Sequence, residues 1–155
     1  MKGEAIFTTA ANSLTDLQKN VAIIVDEMYI KSEVSYCSGS LHGFAENAND
    51  AIPASTMLTI MVQSLCGNFR DVVAFLPVKN MTGDEQTAYM KDAIFVLENA
   101  GFRVSCVICD NSKVNRVMMK NFGVVVGESH VVVDPIHPAD CVIAIWFLLL
   151  IRVTY

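Results

Sequence analysis

The stretch Val21-Ala22-Ile23-Ile24-Val25-Asp26-Glu27-Met28 decides how the rest of the chain is read. Its five apolar residues, Val21 to Val25, are too few for a lone helix and mostly β-branched, which predicts a strand covered on both faces. The strand runs into Asp26 and Glu27, and so places a carboxylate at the carboxyl end of a central strand, where open α/β sheets put ligands and chemistry. Val104 to Cys109, VSCVIC, repeats the arrangement and ends on Asp110-Asn111. Two buried strands that each deliver one aspartate outline a divalent-cation site.

Outward from these strands, residues 1–20 read as a connecting helix or linker, with Ser13 or Thr15 as a helix cap. Ser38-Gly39-Ser40 is a turn signal that predicts a small hairpin within Tyr29 to Ala45. Ser55 to Leu65 carries Met and Leu, which suit a helix, but Thr56, Thr59, Ile60 and Val62 favour a strand. With Cys66-Gly67-Asn68 as a turn and Phe69 to Val78 again β-rich, the two runs predict an antiparallel hairpin. Asp84 to Ala100 changes to helical period and stops at Gly101. After Asp110, Ser112 is the expected N-cap of a second helix that buries Val114, Val117, Met118 and Phe122 and ends at Gly123. A short run, Val131 to Val133, precedes Asp134-Pro135. The final apolar run, Val142 to Ile151, is too short to span a membrane as a helix and predicts a buried strand, the rival being a tail outside the fold.

At 155 residues the chain fits one domain. Its 53% hydrophobic and 17% charged composition excludes disorder, and its net charge of -5 argues against a free-standing nucleic-acid binder. The five cysteines, Cys37, Cys66, Cys106, Cys109 and Cys141, sit mostly within or beside apolar runs and point to reduced thiols in an intracellular compartment. Cys106 and Cys109 form a CxxC, but inside a strand their side chains point to opposite faces, which favours core thiols over a zinc or redox pair.

Magnesium takes hard oxygen ligands, and Asp26 and Asp110 close the two longest candidate strands of the central sheet. A pair of such acids can bridge two magnesium ions roughly 4 Å apart, one activating water or a 3′-hydroxyl and the other stabilising the leaving oxygen. A lone aspartate at Asp110 would read as a turn or cap residue; the matched pair is what favours metal. Asp134 precedes Pro135 and reads as a turn, Glu27 alternates away from Asp26 and reads as solvated or outside the first coordination sphere, and Asn111 either orients Asp110 or serves the turn. His42, His130 and His137 lie in expected loops without metal-ligand spacing, and no phosphate-binding glycine motif occurs.

The strings VDEMYIKSEVSY (from Val25), LHGF (from Leu41) and VICDNSKVN (from Val107), followed by Asp134-Pro135-Ile136-His137, closely resemble the RNase H-like catalytic domain of P-element-type transposases, including their THAP-domain-linked relatives. The match runs from about Ser13 to His137, in the order strand, hairpin, antiparallel pair, helix ending on Ala100-Gly101-Phe102 and strand ending on Cys109-Asp110. The resemblance implies an α/β, RNase H-like fold with a mixed sheet, incomplete at the C-terminus, divided as a 1–20 linker, a 21–137 front half and a 138–155 atypical tail. It also implies cut-and-paste DNA chemistry by three acids, with Asp26 and Asp110 matching the first two metal ligands for Mg2+ or Mn2+, and a nuclear or intracellular setting. The sequence departs from the family pattern in three places: the DNA-reading zinc domain is absent, PADCVIAIWFLLLIRVTY stands after His137 where the family has L-x-K-x-x-RN, and the inserted GTP-binding domain and the final glutamate are missing. The expectation is a truncated core that holds metal weakly and does not transpose DNA alone; the alternative is a non-enzymatic α/β interaction module derived from a transposable element. A small doubly wound domain unrelated to nucleic acid is a weaker third reading.

Overall fold

The computed structural model describes residues 4–124, 131–133 and 142–147. The run at Val21 becomes β1 (Asn20–Tyr29), and everything else is laid against it. On one side it pairs antiparallel with β4 (Thr56–Ser64), which pairs in turn with β5 (Arg70–Val78), the expected hairpin. On its other side it pairs in parallel with β6 (Arg103–Cys109). The chain reaches β6 from β5 through a helix, α2 (Gly83–Asn99), because neighbouring parallel strands need a crossover. β8 (Val142–Phe147) adds in parallel to β6, and β7 (Val131–Val133) closes the sheet antiparallel to β8. The order is therefore β5-β4-β1-β6-β8-β7. The apolar run at Val142 enters the sheet as a strand, while Ile151, with Asp134, His130, His137 and Cys141, lies outside the described residues.

One face of the sheet carries the helices. Val21, Ile23 and Val25 of β1 and Leu58, Ile60 and Val62 of β4 share a buried cluster with Met90, Ile94 and Leu97 of α2 and with Met118 and Met119 of α3 (Lys113–Asn121). On the alternate face Ala22 is buried, but Ile24 is only half-buried and Met28 and Phe75 are exposed. The expectation of cover on both faces thus holds for the start of β1 and fails towards its acidic end. The N-terminal helix α1 (Glu4–Asn12) packs through Phe7, whose ring meets Phe102 edge-on at 6.4 Å, and Phe102 stacks on Phe69 at 5.1 Å.

Two local readings differ and a third holds. The helix of residues 1–20 lies ahead of Ser13, so neither Ser13 nor Thr15 is its N-cap: Ser13 Oγ donates to Ala10 O at the C-terminal end, and Thr15 instead closes a single turn with Gln18. In α3 the buried stripe is Asn115, Met118 and Met119, with Val114 and Phe122 partly buried beside the core and Val117 at 38% exposure. Val117 faces across to α2, where a Cβ on Gly83 would collide with it. The hairpin β2 (Ser35–Cys37) and β3 (Ser40–His42) forms as read, turning on Ser38 and Gly39 at φ 50° and 85°, the left-handed pair a two-residue turn requires.

Candidate metal centre

The parallel register brings the two aspartates level. Ile24 lies beside Ile108 in the β1–β6 pair, so the same count two residues on sets Asp26 beside Asp110, on strands that neighbour each other at about 4.8 Å. Val25, Asp26, Glu27 and Tyr29 of β1, Thr56 of β4, and Asp110, Ser112 and Asn115 at the β6–α3 turn line one cleft of about 180 Å³. No lysine or arginine lines it.

Asp110 is held firmly. Burial pushes its carboxyl up, but the Ser112 N–H (3.0 Å to Oδ1), the Asn115 side-chain amide (2.5 Å to Oδ1) and the Ser112 hydroxyl outweigh this and hold it below the ordinary carboxylate value. The same Ser112 caps α3, accepting from Asn115 N at 3.2 Å. Asp26 accepts from the N–H of Glu27 at 2.9 Å. Strand alternation sets Glu27 on the helix-bearing side with Val25. Glu27 is exposed and alternates away from Asp26 as read, yet it also lines the cleft at the strand end: burial, then the charge of Asp110, then that of Asp26 push its carboxyl above the ordinary value. The cleft is an uncompensated acidic pocket.

Asn111 is exposed; the residue that orients Asp110 is Asn115, four positions on. The signal for it was present as the spacing Ser112-x-x-Asn115, which places a polar side chain one turn into α3 on the face that looks back at the strand end. Thr56 was read only as a β-former and proves to line the cleft. Of the CxxC, Cys106 and Cys109 are both buried; burial raises the Cys106 thiol, and burial with the charge of Asp110 pushes Cys109 up to about 12, so both are core thiols. His42 is exposed on β3. Among the described residues no group of three His, Cys, Asp or Glu is arranged to hold a metal ion.

The family of TNP-like, RNase H N-terminal domains matches residues 5–123. The chain belongs to that family. This RNase H-like domain is also similar in structure to the transposase of the Drosophila P element strand transfer complex, with a TM-score of 0.70 at 18% identity. That likeness covers 92% of this chain and 30% of the transposase, so the domain spans less than a third of that protein. A second structure, the Mos1 strand transfer complex, aligns at 11% identity over 77% of this chain and 36% of its own, with a TM-score of only 0.34. No curated relative matches the sequence. The fold is thereby that of the RNase H-like N-terminal part of a transposase, as the DEM and CDNSKVN strings implied.

Proposed function

We propose that this domain supplies two of the carboxylates of a DNA-cutting, divalent-cation site, Asp26 and Asp110, with Glu27 beside them. The observation that carries the reading is the parallel register, which brings two strand-end aspartates from distant parts of the sequence to one level beside a single acidic cleft. The donor set suits a hard cation: carboxylates and the hydroxyls of Thr56 and Ser112, with no basic side chain to neutralise them. A bound Mg2+ or Mn2+ would supply Lewis-acid activation of water or a 3′-hydroxyl and stabilise the leaving oxygen. The chain's own part is to hold Asp110 ionised through Ser112 and Asn115, and to present Asp26 from the rigid end of β1.

With two matched acids and no three-ligand group among the described residues, the domain alone binds the cation loosely and leaves DNA intact. Its net charge of -5 gives duplex DNA little to hold, so the grip on DNA, like GTP binding and a nuclear location, belongs to the intact transposase. The test is a Mn2+ titration followed by electron paramagnetic resonance, with supercoiled plasmid as a parallel substrate. Weak binding that disappears in Asp26→Asn, whose fold is unchanged because the side chain is exposed, is the expected result, with no nicking. Metal-dependent nicking that vanishes in Asp26→Asn would show that the catalytic set is complete, with Glu27, Glu128 and Asp134 the acids to replace next. Binding unaffected by Asp26→Asn would favour the second reading, a non-enzymatic interaction module.

A further inference from the structure

Behind the cleft lies a polar chain that the cation site itself does not explain. Asn115 is 5% exposed and Gln86 1%, each surrounded by the core that α2 and α3 make against the sheet. Gln86 Nε2 donates to Asn115 Oδ1 at 2.6 Å, and Asn115 Nδ2 donates to Asp110 Oδ1 at 2.5 Å. The direction is forced. An ionised Asp110 only accepts, so Asn115 must turn its NH2 towards it; that leaves the Asn115 oxygen facing Gln86, which must turn its own NH2 in reply. As a consequence Gln86 Oε1 is buried with no hydrogen-bond partner. A purely structural contact between α2 and α3 would be served better by apolar side chains, because an unmatched buried oxygen is a cost.

We infer that Asn115, itself held by Gln86, is a positioning residue that fixes the Asp110 carboxylate through Oδ1 and so sets the direction in which the carboxylate meets the cation. The inference rests on the cation reading of Asp110. Outer-shell partners of this kind set how rigidly a carboxylate meets its metal, and their removal typically weakens binding about tenfold or more. The arrangement also makes the orientation of a ligand on β6 depend on where α2 sits, since Gln86 belongs to α2 and Asp110 to the far end of the next strand.

The test uses the whole chain and Mn2+ alone. Asn115→Leu should weaken Mn2+ binding about tenfold, and Gln86→Met, which leaves the Asn115–Asp110 bond but frees Asn115, should weaken it less, in the same direction. Asn121→Ala is the control: Asn121 Nδ2 donates to Asp84 at 2.7 Å and to Thr87 at 3.0 Å, tying the same two helices without touching Asp110, so it should lower the melting temperature and leave Mn2+ affinity unchanged. Wild-type affinity in both Asn115→Leu and Gln86→Met, or an equal loss in Asn121→Ala, would overturn the positioning role. Should Asn115→Leu not fold, Gln86→Met against Asn121→Ala decides alone. A metal-free readout separates this inference from the cation reading: the Asn115 side-chain amide protons should resonate downfield, exchange slowly, and move in Asp110→Asn. If Asp110→Asn binds Mn2+ like wild type, the cation reading falls, and an Asn115 amide resonance that Asp110→Asn does not move overturns the clamp.

Discussion

Neighbouring acids in one cleft are pulled opposite ways, Asp110 down by three hydrogen bonds that outweigh burial and Glu27 up by burial and by its neighbours' charge. The contrast comes from donors: Asp110 stands at the N-terminal turn of α3, where Ser112 and Asn115 offer N–H groups, whereas Glu27 is shifted by burial and like charge alone and its own N–H goes to Asp26. Cysteine chemistry divides in a similar way. Cys37 and Cys66 are exposed, whereas Cys106 and Cys109 are buried with raised thiols, so a thiol-specific reagent at neutral pH should label the first two quickly and the second two only on unfolding. Peptide mapping by mass spectrometry reads the order of labelling, and early modification of Cys109 would contradict its place in the core. Asp26 and Asp110 were legible in the sequence because each follows an apolar run. Asn115 and Glu27 were not, because their roles depend on which way a side chain turns after the strand ends, and period-two alternation alone sends Glu27 away from Asp26 without revealing that it lines one cleft with Asp110.

Elements were read best where hydrophobic period and a stop signal agree. Strand β6 and helix α2 fell within a residue or two of their expected bounds, since Gly101, at φ 96°, can take the left-handed conformation that ends α2. The start of α2 carries a full capping box: Thr82 Oγ1 accepts from Glu85 N at 3.3 Å, and Glu85 returns a carboxylate to Thr82 N at 2.8 Å. Burial raises the Glu85 carboxyl, but the bonds from Thr82 and Asn47 together outweigh it, so its folded-state value lies below the ordinary 4.5. A lowered acid stabilises the fold above its unfolded value and loses that contribution as pH falls through the folded one. Thr82→Ala should therefore cost about 1 kcal/mol at pH 7, and the difference from wild type should shrink below pH 4.5 in urea melts. Gly83, the next residue, is small for a different reason, since an added Cβ would strike Val117 and crowd the carbonyl of Val114. Gly83→Ala should lower stability by about 1–3 kcal/mol despite the better helix propensity of alanine, measured by the same melts, and a gain in stability would refute the close packing of α2 on α3.

At the scale of the whole molecule, the fold exists to bring the ends of β1 and β6 together, although 83 residues lie between Asp26 and Asp110 in the sequence. The intervening β4–β5 hairpin builds one side of the sheet, and α2 carries the chain back over its face to the other side of β1. That route was legible because antiparallel runs around a turn and a helical crossover leave few ways to arrange four strands. The sheet beyond β6 was less so: Val131 to Val133 and Val142 to Phe147 are short or uniformly apolar, and such runs do not state which edge they join. The alternate sheet face, with Ile24 half-buried and Met28 and Phe75 exposed, was likewise invisible to a reading that took a run of five apolar residues as buried on both sides. The topology predicts one cation site made from Asp26 and Asp110. A crystal structure of the chain with Mn2+, read by its anomalous scattering, tests it most directly. Anomalous density bonded to both carboxylates at about 2.1–2.2 Å is the expected result; carboxylates more than about 8 Å apart, or manganese bound elsewhere with none at the β1–β6 end, would rule the shared site out.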